Sequence, residues 1–233
     1  MVYKWPGWPQ RWCNHRHCIL CLGNDPTGLN LCPECRRDLP WLVSACPGCA
    51  LPVPVAGQIC GACQRRPPAF DACTALFDYA APVDRLVQQL KFRANLHLAR
   101  LFANLMTDRL SAAAKPECII PVPLHRARQR DRGFNQAVEI ARPLAAQLGC
   151  RLDVDTCVRI RPTPPQSQLN AGRRRRNLRG AFTLQQPLRA RHLALVDDVM
   201  TTGSTLNALA NLLRRAGAER IDVWLCARTQ LER

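Results

Sequence analysis

One segment of the sequence combines acids, hydroxyls and a glycine in an order that suits a phosphorylated sugar. Residues 193–206 read LALVDDVMTTGSTL, so a short apolar strand leads into Asp197 and Asp198. The turn that follows comprises Thr201, Thr202, Gly203, Ser204 and Thr205. Gly203 permits a tight turn, and the free N–H groups at a helix start bind phosphate. Two carboxylates nearby would repel phosphate but suit sugar hydroxyls or a metal, so the segment predicts a phosphorylated ribose as ligand.

The alternative for this segment is an ordinary strand–turn–helix with capping hydroxyls and surface acids. The acid pair directly after the strand favours a binding site, because open α/β sheets bind ligands at the carboxyl ends of their strands. The chain contains no GxxxxGK[ST] motif, which excludes a P-loop nucleoside triphosphatase.

Cysteines mark a second site, of metal-binding character. Nine of the 14 cysteines precede residue 64, and eight of these form CxxC pairs that start 14 residues apart. The pairs are Cys18 and Cys21, Cys32 and Cys35, Cys46 and Cys49, and Cys60 and Cys63. Two CxxC turns together make a tetrahedral cage of four thiolates that suits Zn²⁺. All four ligand positions would be filled by protein, so two structural zinc ions are expected.

The spacing favours pairing in sequence order but leaves a cross-braced pairing open. Disulfides and an iron–sulfur cluster are the alternative uses of these cysteines, since thiolates also ligate iron. The remaining cysteines lie mostly in apolar segments and are interpreted as small core residues.

The charge of the chain points towards phosphorylated partners. Lys and Arg number 33 against 17 Asp and Glu, and only three of the 33 are Lys, which leaves a net charge of +16. Arg forms paired hydrogen bonds with phosphate oxygens, so nucleic acid or phosphorylated ligands are favoured over neutral ones. The cations cluster in two predicted loops, one with Arg126, Arg128, Arg130 and Arg132, the other with Arg173–Arg176 and Arg179.

The segment pattern predicts an α/β fold with a small cysteine-rich module before it. Apolar strands at 73–79, 117–123, 155–160, 192–196 and 221–227 alternate with helical stretches at 83–92, 96–113, 134–148 and 204–216. This alternation predicts a parallel sheet covered by helices on both faces. Pro67 and Pro68 suggest a linker, so the predicted domains are 13–66 and 72–233. No transmembrane segment or secretory signal is recognisable, and a cytoplasmic protein is expected.

At this point the sequence resembles a known family. VDDVMTTGST resembles the phosphoribosyl-pyrophosphate (PRPP) motif of type I phosphoribosyltransferases. CxxC ribbons at the start and this motif near the end resemble the ComF/GntX family of competence-related proteins. Further matching stretches are LKF (90–92), IIPVPLHRARQRDRGFNQA (119–137), PPQSQLNAGRRRRNLRGAF (164–182) and CART (226–229). The resemblance implies a type I phosphoribosyltransferase-like sheet preceded by a double zinc ribbon.

The resemblance also implies roles for individual residues. Asp197 and Asp198 would bind the ribose hydroxyls, and residues 201–205 would hold the 5′-phosphate. Mg²⁺ would arrive with PRPP. The pyrophosphate loop would comprise Pro123, Leu124 and His125, with Arg126 or Arg132 near the diphosphate. The mobile hood, or a nucleic-acid contact, would comprise Gln166, Arg174, Arg176 and Asn177.

Three functions remain open on the sequence. The first is a PRPP-binding protein that assists the uptake or processing of single-stranded DNA in natural transformation, with the DNA-uptake machinery as partner. The second is an active phosphoribosyltransferase with an unidentified acceptor, in which the acid pair orients the ribose while pyrophosphate leaves C1′. The third is an iron–sulfur or redox role of the cysteine module.

Overall fold

The apolar runs after residue 71 form a parallel sheet. The computed structural model describes residues 17–111, 113–162 and 180–230. Its strands are β1 (Ala72–Asp78), β2 (Cys118–Pro121), β3 (Arg151–Leu152), β4 (Cys157–Arg159), β5 (Phe182–Leu184), β6 (His192–Met200) and β7 (Arg220–Arg228). Five of them form a parallel sheet in the order β1-β7-β6-β2-β3, and β4 and β5 make a separate antiparallel pair.

Helices cover both faces of the sheet, as the alternation predicts. The helices of the described residues are α1 (Pro33–Arg37), α2 (Gly61–Arg65), α3 (Val83–Arg93), α4 (His97–Leu110), α5 (Arg126–Arg132), α6 (Gln136–Leu148) and α7 (Ser204–Arg215), of which α1 belongs to a different compact unit from the sheet. Leu193 and Leu195 of β6 share a core cluster with Leu206 and Leu209 of α7. Successive side chains of a strand alternate between faces, and α6 packs against β2 and β6. The acid-bearing strand is therefore held rigidly from both sides.

The predicted ligand site lies at a topological switch point of this sheet. β2 and β6 are neighbours, and Pro121 pairs with Val196 at their carboxyl ends. The chain leaves β2 for β3 on one side and leaves β6 for β7 on the other. Where connections diverge in this way, a crevice opens beyond the carboxyl ends of the two strands. The two loops that the sequence singles out both begin at this crevice.

The contacts divide the chain into two compact units. One ends at Leu39, and the other begins at Pro40. The first four-cysteine group thus belongs to the first unit, and the second group belongs with the sheet. The domain boundaries read from the sequence, 13–66 and 72–233, remain a prediction.

Within the second unit, the second cysteine repeat shares the hydrophobic core of the sheet. Leu42 and Ala50 are members of the core cluster that includes strands β1, β6 and β7. The N–H of Cys73, in β1, donates to the carbonyl of Pro47 at 2.8 Å. The Trp41 ring packs against Phe77 with centroids 4.6 Å apart. This part of the repeat is thus anchored to the edge strand of the sheet.

Three local expectations from the sequence are wrong. The segment at 155–160, predicted as a strand of the parallel sheet, forms β4, which pairs antiparallel with β5 outside that sheet. The alternating arginines from 126 to 132 form helix α5 instead of a loop, because His125 caps its start and Gly133 ends it at a φ of +82°. Arg is also a good helix former. In addition, β6 does not stop before the acid pair but continues to Met200, since β7 pairs with it as far as Arg228. Asp197 and Asp198 therefore lie inside a strand.

No helix in the described parts of the chain combines the length and apolar character that crossing a membrane requires.

Candidate functional site

The acid pair near the end of β6 is held in a defined geometry. Asp198 is only 3% exposed, whereas Asp197 keeps part of its side chain accessible. Asp197 Oδ1 accepts a hydrogen bond from the N–H of Asp198 at 2.9 Å, and Asp198 Oδ1 accepts one from Val199 at 2.6 Å. Lys91 Nζ, at the end of α3, lies 2.9 Å from Asp198 Oδ2. The pair is thus fixed by its own backbone and by one half-buried cation.

The two carboxyls interact strongly. Burial, followed by the charge of Asp198, raises the pKa of Asp197 to about 8, although Lys91 and Arg159 oppose this shift. Burial tends to lower the pKa of Lys91, but the adjacent Asp198 outweighs it and raises this pKa. This pKa favours the protonated form of Asp197 at neutral pH, so that its side chain can donate a hydrogen bond. Such a pair can hydrogen-bond to vicinal sugar hydroxyls.

The hydroxyl-rich turn, residues 201–205, connects β6 to the start of α7. Gly203 precedes the helix with φ +71° and ψ 4°, a left-handed conformation that favours glycine. A Cβ there would lie 3.1 Å from Met200 Sδ. Thr202 Oγ1 and Ser204 Oγ are 2.8 Å apart, and the Gly203 carbonyl accepts from Asn207 Nδ2 at 3.0 Å.

The start of α7 has the properties of an anion site. The N-cap residue, Gly203, has no side chain that could cap this helix, and the Ser204 N–H makes a long hydrogen bond of 3.4 Å to Thr202 Oγ1. The N–H groups of the first turn and the helix dipole both favour a negatively charged group. The structure thus brings the hydroxyls of 201–205, the helix start and the acid pair to one end of β6.

The opposite loop follows β2 and contains the predicted pyrophosphate-binding residues. Pro123, Leu124 and His125 lead into α5, and His125 Nδ1 accepts from the N–H of Ala127 at 3.3 Å. His125 therefore acts as a helix cap here. Arg126 begins the helix and is exposed.

Arg132, at the other end of α5, is the cation of this loop that approaches the acid pair. Burial lowers its pKa, while the charges of Asp198 and Asp197 act in the opposite direction. Its guanidinium donates to Gln136 Oε1 and lies 5.3 Å from the ring centre of Phe92. Of the two arginines proposed for the diphosphate, Arg132 has the electrostatic link to the acid pair.

The RGFNQ motif joins this loop to the sheet. Asn135 Nδ2 donates to the Val122 carbonyl at 3.1 Å, and its Oδ1 accepts from the Ala137 N–H at 3.0 Å. The Val122 N–H in turn donates to Val196 at 2.9 Å. Asn135 thus ties the start of α6 to the ends of β2 and β6.

A cleft of about 680 Å³ lies beside this loop. It is lined by cations and polar groups that include His125, Arg126, Arg142 and Arg159, with strand β4 forming one wall. The acid pair and residues 201–205 do not line it. The predicted sugar-phosphate site therefore lies outside the lining of this cleft.

The eight repeat cysteines form two groups in sequence order. Cys18, Cys21, Cys32 and Cys35 make one group, and Cys46, Cys49, Cys60 and Cys63 the other, each with its sulfurs within 4.8 Å of one another. The Sγ atoms of Cys21 and Cys32 are 3.8 Å apart, and those of Cys49 and Cys60 are 3.5 Å apart. Two sulfurs of a tetrahedral Zn²⁺ site are separated by roughly 3.8 Å, given Zn–S bonds of about 2.3 Å. Both groups therefore fit a four-thiolate metal site.

Comparison with known proteins identifies the family. A model of the phosphoribosyl transferase domain matches residues 135–230. DNA utilization protein YhgH of Salmonella typhi is 40% identical over 221 residues, which cover 91% of this chain and 96% of that protein. Competence protein F of Haemophilus influenzae is 36% identical with the same coverage of both chains. The chain belongs to the ComF/YhgH family.

Among solved structures, a purine phosphoribosyltransferase from Pyrococcus horikoshii covers 55% of the ComF/YhgH chain and 80% of its own. The identity is 18% and the TM-score 0.34. The fold assignment of the ComF/YhgH chain therefore depends on the domain match and the sheet order.

The structure also shows residues of the ComF/YhgH site that sequence reasoning did not single out. Lys91 pairs with Asp198, and Phe92 beside it is 74% exposed under Arg132. Arg159 lies close enough to lower the pKa of Asp197. One signal was available for Lys91, because it is one of only three lysines in an arginine-rich chain and lies in the LKF stretch. The hood residues Gln166, Arg174, Arg176 and Asn177 lie outside the described residues, so their roles remain predictions.

Proposed function

We propose that this chain binds PRPP with Mg²⁺ at Asp197, Asp198 and residues 201–205. The observation that carries the proposal is the arrangement at the end of β6, where the partly accessible Asp197 and the buried Asp198 precede a helix whose N-cap residue is Gly203. The acids suit the ribose hydroxyls, and the helix start suits the 5′-phosphate. Mg²⁺ would be bound mainly through the oxygens of PRPP and would offset their negative charge. The loop from Pro123 to Arg132 would receive the diphosphate.

The eight repeat cysteines would hold two structural zinc ions. The sulfur separations in both groups support this proposal, as does the filling of all four ligand positions by protein. Thiolates free to bind metal require a reducing compartment, which supports a cytoplasmic location. Metal analysis tests the assignment: about two zinc per chain in a colourless protein supports it, whereas iron with a brown colour would favour the iron–sulfur alternative.

The proposed biological role is the handling of single-stranded DNA in natural transformation or DNA utilization, together with the uptake machinery. Two observations support it. The first is the names of the relatives, and the second is a net charge of +16 in a chain whose cationic residues are mostly Arg. Arg174 and Arg176 are the proposed strand contacts. Neutralising phosphates releases counterions, so binding should weaken steeply with salt.

Isothermal titration with PRPP–Mg²⁺, with and without a short oligonucleotide, tests the main proposal. Wild-type protein should bind PRPP, and Asp198→Asn should weaken binding by about 100-fold because a charged partner of the ribose is lost. Glu219→Gln is the matched control, since this exposed acid pairs with Arg191 at the amino end of β7. Absence of PRPP binding by wild-type protein would refute the proposal.

The strand proposal is tested by fluorescence anisotropy of a labelled oligonucleotide across a salt series. Arg174→Ala and Arg176→Ala should each lower the affinity and reduce the slope of log K against log salt by about one. An affinity independent of salt and of both arginines would contradict a strand contact there.

An active transferase is the second candidate, favoured by the cationic cleft beside the site. In that reaction the bond from C1′ to the diphosphate oxygen breaks, pyrophosphate leaves with its electron pair, and the acceptor forms a new bond to C1′. Acceptor-dependent release of pyrophosphate from PRPP distinguishes this function from binding alone.

A further inference from the structure

Arg228, in the CART stretch at the end of β7, is a buried cation that connects two distant parts of the second unit. Its residue is only 3% exposed. The hydrogen bonds described for its guanidinium all go to backbone carbonyls, and they reach in two directions. A buried charge is costly unless it is well paired, so this placement requires support from its surroundings.

One direction leads to the second four-cysteine group. Arg228 Nε donates to the carbonyl of Cys49 at 3.0 Å. The same CxxC turn is also fixed to β1, through the hydrogen bond from Cys73 to Pro47. The position of the Cys49 backbone thus determines where the guanidinium can lie.

The other direction leads to the start of the phosphate-binding turn. Arg228 Nη1 donates to the carbonyl of Met200 at 3.0 Å and to the carbonyl of Thr201. The N–H of Thr229 donates to the same Met200 carbonyl at 3.1 Å. The turn therefore begins from a point that Arg228 holds, two residues before Gly203.

Charge gives the connection a dependence on metal. Four thiolates around one Zn²⁺ carry a net charge of −2, which offsets the buried guanidinium next to Cys49. Loss of the metal would remove this compensation and release the CxxC turn at the same time. Both changes would loosen the hold of Arg228 on Met200 and Thr201.

We propose that Arg228 is a positioning residue that couples metal occupancy of the second four-cysteine group to the conformation of the 201–205 turn. Metal in this group strengthens PRPP binding, and by reciprocity PRPP strengthens metal binding by this group, which should appear as slower metal loss. This coupling rests on the proposed PRPP and zinc functions. The first four-cysteine group, in the other compact unit, serves as the internal reference.

Hydrogen exchange of the 200–205 amides tests the coupling without any need for PRPP. Cys60→Ser, which removes a ligand of the second group, should speed this exchange by about tenfold relative to wild type. The matched variant Cys21→Ser, which removes a ligand of the first group, should leave it within twofold. Equal exchange in the two cysteine variants overturns the coupling.

A second measurement guards against unfolding of Cys60→Ser. Zinc release to a colorimetric chelator is followed in wild type and in Arg228→Lys, with and without saturating PRPP–Mg²⁺. In wild type, PRPP should slow the release of one of the two zinc ions, the one bound by the second four-cysteine group. The expected factor is about fivefold or more, within the usual range of coupling. Lysine keeps the charge but lacks the fork that reaches both partners, so the effect of PRPP should disappear.

The outcomes separate the two proposals. If wild type binds PRPP but its zinc release does not change and the cysteine variants exchange alike, the coupling is refuted and the binding function stands. If wild type binds no PRPP yet exchange at 200–205 follows the second cysteine group, the binding function is refuted and the structural coupling stands.

Discussion

The two loops at the β2–β6 crevice would receive phosphate groups by different means. The turn after β6 would use backbone N–H groups, hydroxyls and a glycine, and its start is held by Arg228 of β7. The loop after β2 relies on arginines of α5, whose positions depend on contacts with α3 and α6. We therefore expect the first loop to set the affinity for the 5′-phosphate and the second loop to bind the diphosphate. Ligands with and without a diphosphate can therefore separate them.

Among the substitutions in the two loops, the largest expected effect comes from Gly203→Ala. A Cβ would meet Met200 Sδ at 3.1 Å in a left-handed conformation, which distorts the turn. PRPP and ribose 5-phosphate should both bind about 30-fold more weakly, with a stability loss of about 1–2 kcal/mol. Titration calorimetry and denaturant unfolding measure the two effects.

The control for this variant is Gly217→Ala, beyond the other end of α7. Gly217 has a φ of +102° but open space around its Cβ position. It should share the backbone cost and keep normal affinity. Equal losses of affinity in both variants would show that the turn has no special role.

The pH dependence of PRPP binding tests the acid pair itself. Burial and the charge of Asp198 raise the pKa of Asp197 to about 8, so the ionised pair is formed only as the pH rises through this value. If binding Mg²⁺–PRPP requires both carboxylates, affinity should increase roughly tenfold per unit from pH 6.5 to 8 and then level off. Calorimetry in buffers of different ionisation enthalpy should also show one proton released on binding. An unchanged affinity across this range would show that ionisation of Asp197 does not contribute to PRPP binding.

The same shift affects stability in the opposite direction. The folded-state pKa of Asp197 lies above its unfolded value of 3.8. The unfolded chain therefore ionises first, and the free energy of unfolding decreases as the pH rises from 3.8 to about 8. The melting temperature of Asp197→Asn should therefore exceed that of wild type by about 3 °C at pH 9. The difference should be smaller at pH 6.

Arg132→Gln should discriminate between the loops. Removing this cation should weaken PRPP about tenfold, because its charge near the acid pair would no longer meet the diphosphate. Ribose 5-phosphate should bind within twofold of wild type. Arg130→Gln, on the same short helix but exposed, is the matched control. Equal weakening of both ligands would contradict the division of labour.

The smallest expected effect concerns the cap of α5. His125→Ala removes the acceptor for the Ala127 N–H and should cost about 1 kcal/mol of helix stability. PRPP affinity should fall only two- to threefold. Asn at this position should restore the loss, since its side chain also caps helices, whereas a catalytic histidine would not be replaced in this way.

Sequence reasoning succeeded where the chemistry is local. The pairing of the cysteines in order and the turn at 201–205 depend on residues that are close in the chain. The parallel sheet was predictable from the apolar pattern of its separate segments, although its strands pair over long separations. It failed for α5, where alternating arginines suggested a solvated loop and the capping by His125 was overlooked. It also passed over Lys91, because its approach to Asp198 depends on how α3 packs on a strand more than 100 residues later. Arg228 was hidden for the same reason.

The shared core of the second cysteine group has a consequence for how this protein can vary. Leu42 and Ala50 are buried in the same cluster as the strands, so a chain that lost residues 40–66 would leave apolar surface of β1, β6 and β7 open to water. Such a deletion would expose the sheet to aggregation, whatever happened to metal binding. This stretch therefore belongs to the core of the sheet domain and cannot be deleted or exchanged independently of it.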